Sequence, residues 1–151
     1  NFDLNIFFAW SYGNDVLNAN RLVFESGWRS QTNQLASYAD RWSPENQTSR
    51  NFRTNGQGPS GVYSSRTIED GSFLRLNTLT LGYTLPQSLL KKIHISNLRF
   101  YATAYNLFCL TNYSGFDPEV STMRRTNLTP GVDYSAYPKS RQWVIGVNIN
   151  F

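Results

Sequence analysis

The chain has 151 residues, of which 40% are apolar, 15% aromatic and only 16% charged, with a formal net charge of +4. So aromatic a chain has surface to bury, which argues against disorder, and its longest apolar run, Ile6 to Trp10, is far short of the ~18 residues of a membrane-crossing helix. The single cysteine, Cys109, excludes an internal disulfide framework or thiolate metal cluster, and the fourteen Lys and Arg are scattered, whereas nucleic acid requires a focused basic stripe.

The first element is a strand over residues 2–11. Phe2, Leu4, Ile6, Phe8 and Trp10 share one parity, and Asp3, Asn5, Phe7 and Ala9 the other. Alternate side chains of a strand point to opposite faces, so one face is apolar. With no initiating methionine or signal peptide before it, the chain is expected to begin inside a fold whose start lies elsewhere.

A long connection follows, from about residue 11 to 71. Asn14 or Asp15 could cap a turn holding Val16, Leu17, Val23 and Phe24, stopped by Gly27. Leu35, Tyr38, Ala39 and Trp42 have helical spacing, ended by Ser43-Pro44. Beyond Asn46 the connection is polar as far as Arg66. Within it Gly56-Gln57-Gly58-Pro59-Ser60-Gly61 matches a dinucleotide fingerprint in letters only. That mechanism needs a strand before and a helix after, and the polar surroundings and Pro59 predict a loop.

The second strand covers 72–85. Leu79, Leu81, Tyr83 and Leu85 share a parity that Leu74 and Leu76 do not, so a bulge near Asn77 is expected. A short connection, Pro86 to Asn97, leads to a third strand over 97–110, rich in aromatic and small residues (Phe100, Tyr101, Ala102, Ala104, Tyr105, Phe108), whose two faces are less clearly divided. After a second long connection comes the clearest alternation, over 140–151. Trp143, Ile145, Val147, Ile149 and Phe151 oppose Gln142, Gly146, Asn148 and Asn150, with Val144 the intruder. No repeat or internal domain boundary is visible.

Two architectures accept four such strands. In a soluble β-sandwich the apolar faces pack on each other, and aromatic loops could bind carbohydrate. In a membrane barrel they face lipid, and the Asn/Thr/Gly faces line a wet interior. The long–short–long connections suit a barrel with long loops at one end. Trp143 to Phe151 spans roughly 26 Å along the strand and, tilted by about 40°, about 20 Å of membrane, near the ~25 Å lipid band. Trp10, Tyr83, Trp143 and Phe151 would then form aromatic girdles.

Several runs carry a family resemblance. Ile68 to Pro86 (IEDGSFLRLNTLTLGYTLP), Asn97-Leu98-Arg99 with Asn106-Leu107-Phe108, Tyr113 to Glu119 (YSGFDPE), and Pro130-Gly131-Val132-Asp133-Tyr134 before Tyr137-Pro138 occur in that order. Together with the aromatic last strand they resemble the C-terminal region of SusC/RagA-type TonB-dependent outer-membrane transporters of Bacteroidetes. The stretch from Trp10 to Thr67 matches loosely, through Tyr12-Gly13-Asn14-Asp15 and Arg41 to Asn46.

The resemblance implies an all-β fold. This chain would be the last four antiparallel strands of a 22-stranded transmembrane β-barrel, with long extracellular loops carrying short helices and the plug absent. It implies a bacterial outer-membrane location with a periplasmic C-terminus. The partners implied are the rest of the barrel and plug, TonB through the missing N-terminal part, a SusD-like surface lipoprotein, and outer-membrane lipid and lipopolysaccharide. The cargo implied is an oligosaccharide or peptide. Gly146, Ile149 and Phe151 fit the family's outer-membrane assembly signal, while its polar position holds Val144.

No enzymatic role, cofactor or metal is expected. His94, the only histidine, lacks companion ligands and is read as a solvated turn residue. Glu69-Asp70 and Asp117-x-Glu119 could act as acid/base pairs or Ca²⁺ ligands. The turn-forming pairs Asp70-Gly71 and Asp117-Pro118 favour structural roles. A secreted hydrolase using Asp117 and Glu119 is the outlying alternative. The loop aromatics Trp28, Trp42, Phe52, Tyr63, Tyr113, Phe116, Tyr134 and Tyr137 could stack on sugars, meet a partner or pack the loops. Arg50, Arg53, Arg124 and Arg125 could meet lipopolysaccharide. The sequons at Asn46, Asn112 and Asn127 matter only in a eukaryotic secretory route.

Overall fold

A computed structural model of the chain describes residues 1–27, 31–53, 64–91, 94–119 and 130–151. These residues group into two compact units. One comprises Asn1–Ser11, Phe73–Thr111 and Lys139–Phe151, and the other Tyr12–Ser72 and Asn112–Pro138.

The first unit is a four-stranded antiparallel sheet. Strand β1 is Phe2–Ser11, β4 is Phe73–Thr84, β5 is Asn97–Thr111 and β7 is Gln142–Asn150, and they lie in the order β1-β4-β5-β7. The register stacks the apolar parities of all four strands on one face. Phe2 opposes Tyr83, which opposes Phe100 and then Val147. The next rows are Leu4-Leu81-Ala102-Ile145 and Ile6-Leu79-Ala104-Trp143.

The bulge expected at Asn77 is present. The register shifts between Leu76 and Thr78 on β4, which brings Leu76 and Leu74 opposite Phe8 and Trp10. On β5 the pairing jumps from Tyr105 to Phe108, and Asn106 there adopts a positive φ of 52°. One extra residue in β4 and two in β5 thus keep Phe8, Leu76 and Phe108 on the apolar face, with the Phe8 and Phe108 rings 6.5 Å apart. The turn between β4 and β5 carries a single-turn helix, α2 (Gln87–Leu90), whose Leu90 is fully buried.

The second unit is built from the two long connections. Its three-stranded sheet has the order β3-β2-β6, from Ile68–Asp70, Asp15–Asn18 and Val132–Asp133. Strand β2 pairs antiparallel with β3 and parallel with β6. The short helix α1 (Ala19–Phe24) follows β2 directly. Asn14 and Asp15 therefore do not cap a turn; Asp15 opens a strand, and the N-cap position falls to Asn18, which makes no side-chain capping bond. Gly27, with φ of 60°, follows α1 where a stop was expected.

The helical spacing from Leu35 to Trp42 yields only a 3-10 turn, Ala36–Asp40. Of its apolar stripe Tyr38 is buried, whereas Leu35 and Ala39 are exposed, so the face that would have stabilised an α-helix has nothing to pack on. No helix among the described residues is long and apolar enough to cross a membrane.

Candidate functional site

The feature that sets this molecule apart is an apolar sheet face left open. Ile145 is 85% exposed, Trp10 73% and Trp143 71%, and Leu4, Ile6, Leu81, Phe100, Val147 and Ile149 are exposed as well. A sandwich would seal these side chains against a second sheet. The sandwich reading is therefore replaced by a sheet whose greasy side meets a medium outside the chain.

The opposite face is held by a polar lattice. Arg99 on β5 donates from Nε to Asp3 Oδ1 (3.1 Å) and from Nη2 to Asp3 Oδ2 (2.5 Å) on β1. This ion pair reaches across β4 at Gly82, where any Cβ would fall on the guanidinium and the carboxylate. The Arg99 guanidinium carbon also sits 5.5 Å from the centre of the Tyr101 ring. That ring lies over Gly146 of β7, whose Cβ, if present, would collide with it. Covering a strand glycine with a cross-strand aromatic protects the backbone and pins register. Further along, Thr80 and Thr103 share a hydroxyl hydrogen bond of 3.0 Å.

The expected site residues fall as follows. Gly146 opposes Tyr101, Ile149 opposes Leu98, and Phe151 lies beyond the end of β7, 91% exposed. Tyr83 packs against Phe2 with the ring centres 4.5 Å apart and the planes tilted by 40°. Trp143 shares the Ile6 row, and Trp10 lies four residues further along β1. Val144 opposes Thr103 on the polar face. The sequence signal for the lattice was weak: Asp3 and Arg99 are single charges on polar parities, and only the register, with Gly82 between them, makes them partners.

The loop unit is organised by charge. Arg21 Nε donates to Glu25 Oε2 (2.8 Å) and Nη1 to Glu69 Oε1 (3.0 Å), while Arg66 Nη1 donates to Glu25 Oε2 (3.0 Å). Ser37 Oγ donates to Glu25 Oε1 at 2.6 Å. The Ser114 backbone N–H and hydroxyl donate to the two Glu69 oxygens, each at 2.9 Å. Burial pushes both carboxyls up, but these hydrogen bonds and the arginine charges outweigh it, holding Glu25 and Glu69 below the usual range. Tyr113 is buried and donates to Asp133 Oδ2 at 2.7 Å; burial and that carboxylate drive its phenol far above its ordinary value.

Glu69 is thereby a structural ligand of Ser114, Arg21 and Asn18. Asp70 Oδ1 accepts from the Ser72 N–H (2.9 Å) and Asp117 Oδ1 from the Glu119 N–H (3.0 Å), both turn-closing bonds. Among the described residues no group of three or more His, Cys, Asp or Glu converges on a metal position. His94 is an exposed turn residue with φ of 57°. Phe52 lies under Arg66, its centre 4.9 Å from the guanidinium carbon, and Tyr113 is buried, whereas Phe116, Tyr134 and Tyr137 are exposed. Gly56 to Gly61, Trp28, Tyr63, Arg124, Arg125 and Asn127 lie outside the described residues. The loop unit also holds an open cleft of about 500 Å³, bounded by α1, the 36–40 turn and residues 114–116.

No protein-family model matches the chain. It is 36% identical over its whole length to TonB-dependent receptor P3 of Formosa agariphila, covering 15% of that protein. It is 33% identical to TonB-dependent receptor P26 of the same organism, covering 16% of it. Over 62% of the chain it is 34% identical to TonB-dependent receptor SusC of Bacteroides thetaiotaomicron, covering 9% of it. Among solved structures, that of the RagAB peptide transporter superposes on 99% of the chain with a TM-score of 0.81 at 32% identity, covering 16% of its matched chain. The chain thus spans about one sixth of the length of the relatives it matches.

Proposed function

Because this chain has the sequence and fold of a barrel segment of the SusC/RagA-type TonB-dependent receptors, we propose that it supplies four adjacent strands to the outer-membrane wall of an energised importer. The observation that carries this reading is the open apolar face, which lipid covers, backed by a polar face fit for a wet lumen. Strands β1 and β7 each have a partner on one side only among the described residues. In hydrocarbon every backbone group must be paired, so further strands flank both edges. The complete receptor is a 22-stranded barrel with a plug, driven through TonB, importing oligosaccharides or peptides with a SusD-like lipoprotein.

In this reading the α2 turn faces the periplasm and the two long connections face outward, toward lipoprotein and cargo. The exposed Arg50 and Arg53 meet lipopolysaccharide. Trp10, Tyr83, Trp143 and Phe151 sit at the membrane edges. Trp10 and Trp143 lie three strand spacings and four residues apart. A tilt of about 40° displaces a level line by about 12 Å along the strand over three spacings, and four residues are about 13 Å. The girdle thus requires tilt in the sense that levels these two tryptophans.

Gly146, Ile149 and Phe151 form the assembly signal at the end of β7, with Val144 at the position where a polar residue is usual. Deleting Phe151, or replacing Ile149 and Phe151 with Asp, in the full-length receptor is expected to lower its outer-membrane level; unchanged levels would remove the assignment. For the activity, cells carrying the intact receptor take up labelled oligosaccharide or peptide mixtures only while TonB is present. Uptake indifferent to TonB would overturn the importer reading.

A further inference from the structure

The cleft in the loop unit has the volume of a small-ligand site. Its polar lining is Asn18, Asn20, Arg21, Glu25, Ser37 and Ser114, and its apolar walls include Leu35 and Phe116. Phe116 is 73% exposed, although it belongs to a segment whose neighbours Tyr113 and Asp117 are buried. An aromatic ring held out beside a cleft by a buried anchor on each side is a platform rather than core.

Donor capacity is left over at this cleft. Arg21 uses Nε on Glu25 and Nη1 on Glu69 and the Arg66 carbonyl, which leaves its Nη2 donors without a partner among the described residues. Asn20 accepts from the Ser135 N–H through Oδ1, which leaves its Nδ2 donors without a partner among the described residues. The Glu25 and Glu69 oxygens are already engaged by Arg21, Arg66, Ser37, Asn18 and Ser114. The two charged residues of its lining, Arg21 and Glu25, are ion-paired with each other, so the cleft does not select for an anion.

We propose that this cleft is a sugar subsite, in which a neutral pyranose stacks on Phe116 and presents hydroxyl oxygens to Arg21 Nη2 and Asn20 Nδ2. An aromatic platform with a few fixed polar groups is the pattern that orients a ring with one apolar face. An open cleft with a protruding ring suits a flat saccharide face better than a peptide side chain, which is best held in an enclosed pocket. The inference rests on the importer reading and assigns its cargo class and one contact site.

The test uses the intact receptor with its lipoprotein in detergent. Two probes are applied: a set of neutral fluorescent hexose and pentose oligosaccharides, and a random octapeptide library. Binding of at least one oligosaccharide is expected, weakened about five- to tenfold by Phe116→Ala and restored by Phe116→Trp. Asn20→Ala should weaken it less, and both variants should reach the membrane at the parent level because these side chains are not core. Undiminished oligosaccharide binding in Phe116→Ala, or binding of octapeptides alone, would overturn the subsite. Either result leaves the importer reading standing, since that falls only if uptake is independent of TonB.

Discussion

The two units of this chain solve burial in opposite ways. In the loop unit, Val16, Tyr38 and Tyr113 are buried together with Glu25, Asp117 and Asp133; Glu25 is matched by Arg21, Arg66 and Ser37, Asp133 by the Tyr113 hydroxyl and Asp117 by the Glu119 N–H. In the sheet, most of the large apolar side chains are exposed, Leu76 excepted, while Arg75 and Thr103 are buried. The same alphabet is therefore written for two solvents. The loop unit follows the rule for water, in which most buried polar groups are paired, with exceptions among the described residues that include Asn18 Oδ1, Tyr38 Oη and Asp133 Oδ1. The sheet obeys the rule for lipid on one face, where side-chain exposure carries no penalty but an unpaired backbone does.

The sharpest way to break this contrast is to place a charge on each face of β7. Ile145→Arg puts a guanidinium on the open apolar face and should destabilise the intact receptor in bilayers by about 2–4 kcal/mol, whereas Gln142→Arg on the polar face should cost less than about 1 kcal/mol. Chemical unfolding of the receptor in lipid vesicles measures both. Equal effects at the two positions would mean that the faces do not see different media.

A smaller effect is expected from filling the glycine gaps of the lattice. Gly82→Val would force apart Arg99 and Asp3, and Gly146→Val would lift the Tyr101 ring. Each should cost about 1–3 kcal/mol through overpacking. A double-mutant cycle separates the causes: with Tyr101→Ala already present, Gly146→Val should become nearly neutral, while Gly82→Val should keep most of its cost. Loss of that distinction would show that the two glycines matter only for backbone conformation.

Acid should loosen the loop unit before the sheet. The Glu25 and Glu69 carboxyls are held below their ordinary value of 4.5 in the folded unit. Their stabilisation is fully present above the unfolded value and is lost as pH falls through the folded ones. Hydrogen exchange of residues 16–25 and 112–118 should therefore rise below about pH 4.5, while β4 and β5 stay protected. Glu69→Gln should reproduce part of this at neutral pH, at a cost of about 1–3 kcal/mol for the charge-assisted bonds from Arg21 and Ser114.

What the sequence made legible follows from length of pattern. The shared parity of Phe2, Leu4, Ile6, Phe8 and Trp10 announces β1 although Phe7 and Ala9 blur its other face, and the phase change between Leu76 and Leu79 announces the Asn77 bulge, because a one-residue slip moves every side chain to the other face. The compensating irregularity at Asn106 was silent, since two extra residues leave the parity of Phe108 unchanged. Strands β2, β3 and β6 were silent too: four, three and two residues are too few to show a period. The stripe from Leu35 to Trp42 had helical spacing but too little burial to use it. The Arg21–Glu69 and Ser114–Glu69 contacts join residues 48 and 45 apart, which no local pattern encodes.

The finest probe of the contrast is the Thr80–Thr103 hydroxyl pair. Thr103 is buried on the polar face, and its hydroxyl meets Thr80 across β4 and β5. Thr103→Val keeps the shape and removes one partner, leaving the Thr80 hydroxyl to find water. If the polar face lines a wet lumen, water replaces the bond and the cost stays near 0.5 kcal/mol, whereas a dry core would charge about 1–3 kcal/mol for the orphaned hydroxyl. The double change Thr80→Val with Thr103→Val then discriminates further. In a dry setting it should recover stability relative to the single change, and beside water it should not, because there the single change left nothing unsatisfied.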